Sequence, residues 1–234
     1  MPSKQAGFTL VEIAIVLVII GLLLGGVLKG QELINSAKIK NVVNDFNSTT
    51  TAIYGYQDRY KALPGDDAGT ARWPPATTSF PAATIIGNGD GIINVIGTPP
   101  TACNFSDSTG DANECYSLWV DLRQAGFITG AIDSGPPQNA YGGLLGVQDG
   151  DDALMTTATA GTGFKGPIIC ESNIPDKAAI ALDNQLDDGS PTTGSVRAIL
   201  QADATTPHAV TGQQAEATYL ETGTNYYTVC KALH

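Results

Sequence analysis

The chain has 234 residues, of which 23 are acidic and 12 basic, for a formal net charge of −11. That balance disfavours nonspecific attraction to nucleic acid or anionic lipid, so no nucleic-acid partner is expected, and it suits a surface exposed outside the cytoplasm. The length allows one or two domains, and the 27 Gly and 13 Pro point to a turn-rich globular part.

The first element is apolar. Residues 7–28 read GFTLVEIAIVLVIIGLLLGGVL, and from Phe8 to Leu28 only Thr9 and Glu12 carry polar side chains. A helix of that length rises roughly 31 Å, the hydrocarbon thickness of a bilayer. Glu12 lies just inside the apolar edge, where an unpaired carboxylate costs about 2.5–3.5 kcal/mol. The nearest basic residues are Lys4 upstream and Lys29 downstream, so the chain offers no close partner charge. A secretory signal places its small-residue cleavage site after the apolar core. Here the small pair Ala6 and Gly7 precedes the core.

A short basic leader ending in Gly7, then Phe8-Thr9-Leu10-Val11-Glu12 and an uninterrupted apolar run, resembles the type IV pilin and type II secretion pseudopilin family. The resemblance implies cleavage by a prepilin peptidase between Gly7 and Phe8, with N-methylation of Phe8. It also implies that Glu12 pairs with the Phe8 ammonium of a neighbouring subunit. Two charges would then neutralise each other inside an apolar bundle and set its axial register. The partners so implied are copies of the chain or related pilins, the peptidase, and an inner-membrane assembly platform.

Beyond Leu28 the helical pattern becomes amphipathic. Ile39, Val42, Val43, Phe46, Ile53 and Tyr60 recur on one face, while Lys38, Lys40, Asp45, Asp58 and Arg59 lie on others. Leu63-Pro64-Gly65 ends the helix. One helix over 8–62 would be some 80 Å long. Many members of the family carry a kinking proline where this chain has Lys29; Gly21, Gly25 and Gly26 are alternative weak points. Gly21 and Gly25 also match a small-xxx-small helix-packing spacing, a pattern common in membrane spans generally.

The remainder reads as an α+β head. Residues 64–113 form a loop with one hairpin, its turn at Asn88-Gly89-Asp90-Gly91 between apolar pieces at 83–86 and 92–96. A short helix is expected over 116–125, closed by Gly126. Strands are expected near 166–171, 178–182, 195–200 and 226–232. The fold expected is therefore a long N-terminal α-helix packed on a small antiparallel β-sheet head, pilin-like in layout. The boundaries are a leader at 1–7, a transmembrane and assembly half at 8–28, an amphipathic half at 29–62 and a head at 63–234. Leu63-Pro64-Gly65-Asp66-Asp67, Leu118-Trp119 with Ala125-Gly126-Phe127-Ile128, and Leu186-Asp187-Asp188-Gly189 also resemble features of a PulG-like prepilin group.

All four cysteines, Cys103, Cys115, Cys170 and Cys230, follow the apolar run and lack CxxC spacing. In an exported chain an even count favours two disulfides over four buried thiols. Three pairings are open; the favoured one joins Cys103 to Cys115 as a local clasp and Cys170 to Cys230 near the C-terminal end.

Three acidic groups have calcium-like composition: Asn88/Asp90/Asn94, Asp149/Asp151/Asp152 and Asp183/Asp187/Asp188. Aligning Gly91 with the glycine of an EF-hand loop puts Ile86 and Gly97 at the first and last ligand positions, so the first group fails that template. Major secretion pseudopilins carry a C-terminal calcium loop, and by that resemblance the Asp183/Asp187/Asp188 group is the best of the three. Solvated turns account for such aspartates without an ion, and no cofactor is assigned. His208 and His234 stand in no nucleophile-elbow context, and the glycine-rich pieces lack a P-loop ending. Trp73, beside Arg72, reads as packing. No catalytic residue is assigned, and the chain is not expected to be an enzyme.

The expected function is a structural subunit of a pilus-like or pseudopilus filament. The alternative is a membrane-tethered or secreted binding or adhesion protein whose apolar segment is only an anchor or signal. The positive-inside rule gives little help, since Lys4 precedes the run and Lys29, Lys38 and Lys40 follow it. The family resemblance implies a single inner-membrane pass with a periplasmic head, then a periplasmic pseudopilus or an extracellular pilus.

Overall fold

The computed structural model describes residues 9–69, 87–96, 103–107, 113–132, 134–151, 153–157, 159, 161–204, 207 and 209–233. They fall in two compact units, Met1–Lys38 and Ile39–His234. Helix α1, Leu10–Tyr60, runs for 51 residues and contributes to both. No proline interrupts it, and Lys29 forms an exposed i,i+3 pair with Glu32 at 2.7 Å.

In the first unit the helix is apolar on every face from Ile13 to Leu28, polar residues follow from Lys29, and none of its large side chains is buried. It is long and apolar enough to cross a membrane. In the second unit the character changes: Val42, Val43, Phe46, Thr49, Ala52, Ile53 and Tyr56 form a buried stripe at helical spacing. The helix ends where Lys61 enters the left-handed region at φ 58° and its N–H bonds the Gln57 carbonyl at 2.9 Å. Gly65 follows at φ 88°, and a Cβ there would stand 2.5 Å from the Glu114 carbonyl oxygen, so the turn accepts only glycine.

Helix α2, Glu114–Gln124, starts on an Asn113 cap whose side chain accepts the Tyr116 N–H at 3.3 Å. Strands β1 (Leu145–Asp149), β2 (Pro167–Pro175), β3 (Val196–Gln201) and β4 (Tyr226–Ala232) form one antiparallel sheet in the order β1-β2-β4-β3. One face of the sheet, including Val147, Ile169, Ala198 and Val229, shares a core with the α1 stripe, with Leu118, Trp119 and Leu122 of α2, and with Ala178, Ala179 and Leu182. The other face, including Ile168, Cys170, Ile199 and Ala232, is covered by Phe105, Leu154, Phe164 and Val210. Because both faces are covered, β1 and β2 show continuous buried runs instead of alternation. The structure pairs Cys103 with Cys115 and Cys170 with Cys230, the latter two directly opposed on β2 and β4.

The layout is α+β and pilin-like, with two departures from the sequence reading. Residues 178–182 are not a strand but the middle of helix α3, Asp176–Leu186. A short run of alanines and large aliphatics satisfies either pattern; here Ala178, Ala179 and Leu182 bury one helical face and Asp176 caps a distant turn through the Thr222 and Gly223 amides. Strand β1 was not anticipated, since Leu145-Gly146-Val147-Gln148-Asp149 is short and Gly146 packs against the Phe105 backbone. Of the expected hairpin the structure describes the turn at 88–91 and, after it, an isolated bridge from Val95 to Asn113. Its other arm, 83–86, lies outside the described residues.

Candidate functional site

The start of α1 is built by its own sequence. Thr9 precedes the first helical turn and Glu12 is three residues on, the spacing of a capping box. The Glu12 carboxylate accepts the Thr9 backbone N–H and the Thr9 hydroxyl, each at 2.8 Å, through the same oxygen. In return the Thr9 hydroxyl accepts the Glu12 N–H at 3.3 Å. Two otherwise orphaned helix-terminal donors are thereby satisfied, and the acid sits at the positive end of the helix dipole. The chain offers Glu12 no close partner charge, and the neutral partner Thr9, which the sequence analysis does not single out, is signalled by the Thr-x-x-Glu spacing.

Glu12 opens a stretch in which Leu10, Val11, Ile13, Ile15, Val16, Leu17 and the following large side chains are all exposed. A helix with no polar face and no protein cover needs an apolar environment, either lipid or other helices. Gly7 and Phe8, the expected processing residues, lie outside the described residues.

Residues 2–28 match the family model of the prokaryotic N-terminal methylation motif. The chain carries the type IV pilin and pseudopilin signature. No curated protein and no solved structure matches. The motif supports a pilin-like or pseudopilin precursor, and together with the apolar helix it fits membrane anchoring.

The acidic groups of the head hold turns. Asp66, buried, accepts the N–H groups of Gly89 at 2.6 Å, Asp90 at 3.1 Å and Gly91 at 2.7 Å. Glu114, also buried, accepts the Asn88 and Asn94 N–H groups at 3.1 and 2.9 Å. Burial raises its carboxyl to about 7; these two amides oppose the shift, while the charges of Asp66 and Asp90 add to it. Asn88, Asp90 and Asn94 are thus brought together as a turn clipped by two carboxylates.

Asp183, Asp187 and Asp188 also converge, with one oxygen from each within 4.8 Å of the others. Asp183 accepts the Tyr219 hydroxyl at 2.7 Å and the Gly189 N–H at 3.1 Å. Asp187 accepts the Ser195 and Val196 N–H groups, and Asp188 those of Ser190 and the Thr193 hydroxyl. Burial raises the Asp183 carboxyl, and burial together with the Asp183 bond pushes the Tyr219 hydroxyl well up. Asp149 accepts the Asp151 N–H at 3.2 Å, and Asp151 pairs with Lys165; Asp152 lies outside the described residues, as do Arg72, Trp73, His208 and His234.

Proposed function

We propose that this chain is a structural prepilin or pseudopilin subunit. It would be cleaved after Gly7 by a prepilin peptidase, methylated at Phe8 and drawn from the inner membrane into a helical filament by an assembly platform. The observation that carries this reading is the uncovered apolar stretch of α1 over residues 10–28, whose one acid, Glu12, is held at the first turn by Thr9. One Glu12 oxygen accepts both Thr9 donors, which leaves the other for the Phe8 ammonium of a neighbouring copy or related pilin. Neutralisation of the pair favours the helix bundle, and its absence in lipid penalises the isolated span. The residues on the exposed helix face are the filament contacts in this reading, and the disulfide-closed head faces the periplasm or the cell exterior.

No catalytic role and no resident cofactor form part of this reading. Each carboxylate of the Asp183/Asp187/Asp188 group already accepts donors from its own chain, which favours a loop-holding role over an ion site.

Intact-mass measurement of the protein from membranes or filaments tests the processing step. Loss of residues 1–7 with the gain of one methyl group is expected; a mature chain still beginning at Met1 removes the peptidase claim. Glu12→Ala tests assembly: at equal expression, the ratio of filament to membrane-held mature subunit should fall sharply while cleavage continues. Normal homopolymer formation by this variant would overturn the role given to Glu12.

A further inference from the structure

Glu171 stands near the middle of β2, between Leu145 of β1 and Val229 of β4. It lies two residues beyond Ile169, so it faces the side of the sheet that shares a core with Val42 and Phe46 of α1. Its side chain is fully buried, at 0% exposure, and among the described residues neither carboxylate oxygen has a partner in hydrogen-bond geometry. From α1 the half-buried Asp45 faces it; from the loop before β1 the Asn139 amide does, while also donating to the Ser172 carbonyl at 2.8 Å. Among the described residues Asp45 is the one charge acting on Glu171, and it has the same sign.

A carboxylate so placed has lost its water and has only the Asn139 amide, outside hydrogen-bond geometry, to accept from, which is the costly arrangement for a buried ion. The neutral acid is the form that this site tolerates. Burial first, and the Asp45 charge second, hold the Glu171 carboxyl well above its usual range, with the Asn139 amide only partly opposing them. Ionisation would place two like charges between the sheet and α1, with no cation among the described residues to offset them.

We propose that Glu171 is a one-proton latch on the head: protonated, it lets residues 39–60 of α1 pack against the sheet, and its ionisation loosens that packing. The proposal is independent of the filament reading, since it concerns only the second unit. It makes the head more tightly closed in acid than in alkali. The sign follows from linkage. A carboxyl raised on folding contributes stability that is complete below the unfolded value, about pH 4.3, and is lost as pH rises toward the folded value. Across that window one proton changes the unfolding constant by about tenfold per pH unit.

The test uses the full chain in detergent micelles, comparing wild type with Glu171→Gln, which keeps shape and removes the proton. Three results are expected. A protonated-carboxyl infrared band at neutral pH, assigned with isotope-labelled glutamate, should vanish in the variant. The wild-type unfolding constant should rise relative to the variant by up to about tenfold per pH unit above pH 5. Amides at 39–60 should exchange faster in wild type, relative to the variant, as pH rises. Parallel pH profiles for the two proteins, or a band unchanged by the substitution, would overturn the proposal. Should Glu171→Gln not fold, Asp45→Asn gives the second arm: without the neighbouring charge the labelled band should disappear at lower pH than in wild type. An unmoved titration would overturn the latch.

Discussion

The Glu12 carboxylate takes both the backbone N–H and the hydroxyl of Thr9 on one oxygen, at 2.8 Å each. The acid inside the apolar run is therefore already part of a helix cap before any neighbour is present. Thr9→Val keeps the amide and removes the hydroxyl, and losses of this kind cost about 1 kcal/mol. Amides in the first turn of α1 should exchange about fivefold faster in micelles. Thr9→Ser should restore protection; equal protection in Thr9→Val would show that the cap contributes nothing.

Asp66 organises the 88–91 turn by accepting three backbone N–H groups from within the head. Asp66→Ala removes the one carboxylate that holds three amides of exposed turn residues, and a loss on the order of 1.5 kcal/mol in unfolding free energy is expected. Asp58→Ala, at an exposed pair with Lys61, serves as the control and should stay within about 0.5 kcal/mol. Chemical denaturation with disulfides intact measures both. Equal effects would mean that the turn is held by other contacts.

Glu114 titrates near neutrality because it is buried. Its contribution to stability is complete below about pH 4.3 and declines as pH rises to about 7. A carboxyl-carbon NMR titration of the folded chain should show its midpoint close to 7. A midpoint in the ordinary glutamate range would mean that the Asn88 and Asn94 amides outweigh burial.

The two disulfides close loops of very different size, with sequence separations of 12 for Cys103–Cys115 and 60 for Cys170–Cys230. In the chain-entropy model their ratio makes the longer loop worth about 1.4 kcal/mol more. The double variant Cys170→Ala/Cys230→Ala should therefore lose more stability than Cys103→Ala/Cys115→Ala in denaturant titrations. Alkylation of exported protein without reduction should label no cysteine; four labelled thiols would remove both cross-links.

Calcium added to the folded chain should leave its melting temperature unchanged, since the Asp183, Asp187 and Asp188 carboxylates are committed to their own loop. A ligand at a hundred times its dissociation constant would stabilise the chain by about 2.7 kcal/mol, a shift of several degrees. Such a shift, lost in Asp187→Ala, would assign the ion.

What the sequence determined by itself is what depends on neighbours along the chain. The apolar run, the change to an amphipathic stripe at Val42, Phe46 and Ile53, and the stop at Leu63-Pro64-Gly65 are all local, because helix hydrogen bonds and helix faces join residues three and four apart. The methylation motif is likewise contiguous, and β4 and β3 were readable as dense β-branched and aromatic runs. Tertiary structure decided the rest. Whether residues 178–182 were helix or strand depended on which face found a core, and β1 exists because β2 offers it an edge. Asp183 reads in the sequence as a solvated turn acid or ion ligand, and Asp66 and Glu114 carry no signal of their role, yet all three take donors from distant segments. Glu171 is the sharpest case: a glutamate between Cys170 and Ser172 reads as surface on composition alone, and only packing on both faces of the sheet buries it under α1. Burial is a sum over residues far apart in sequence, so the charge state of such a group becomes defined only when the fold closes around it.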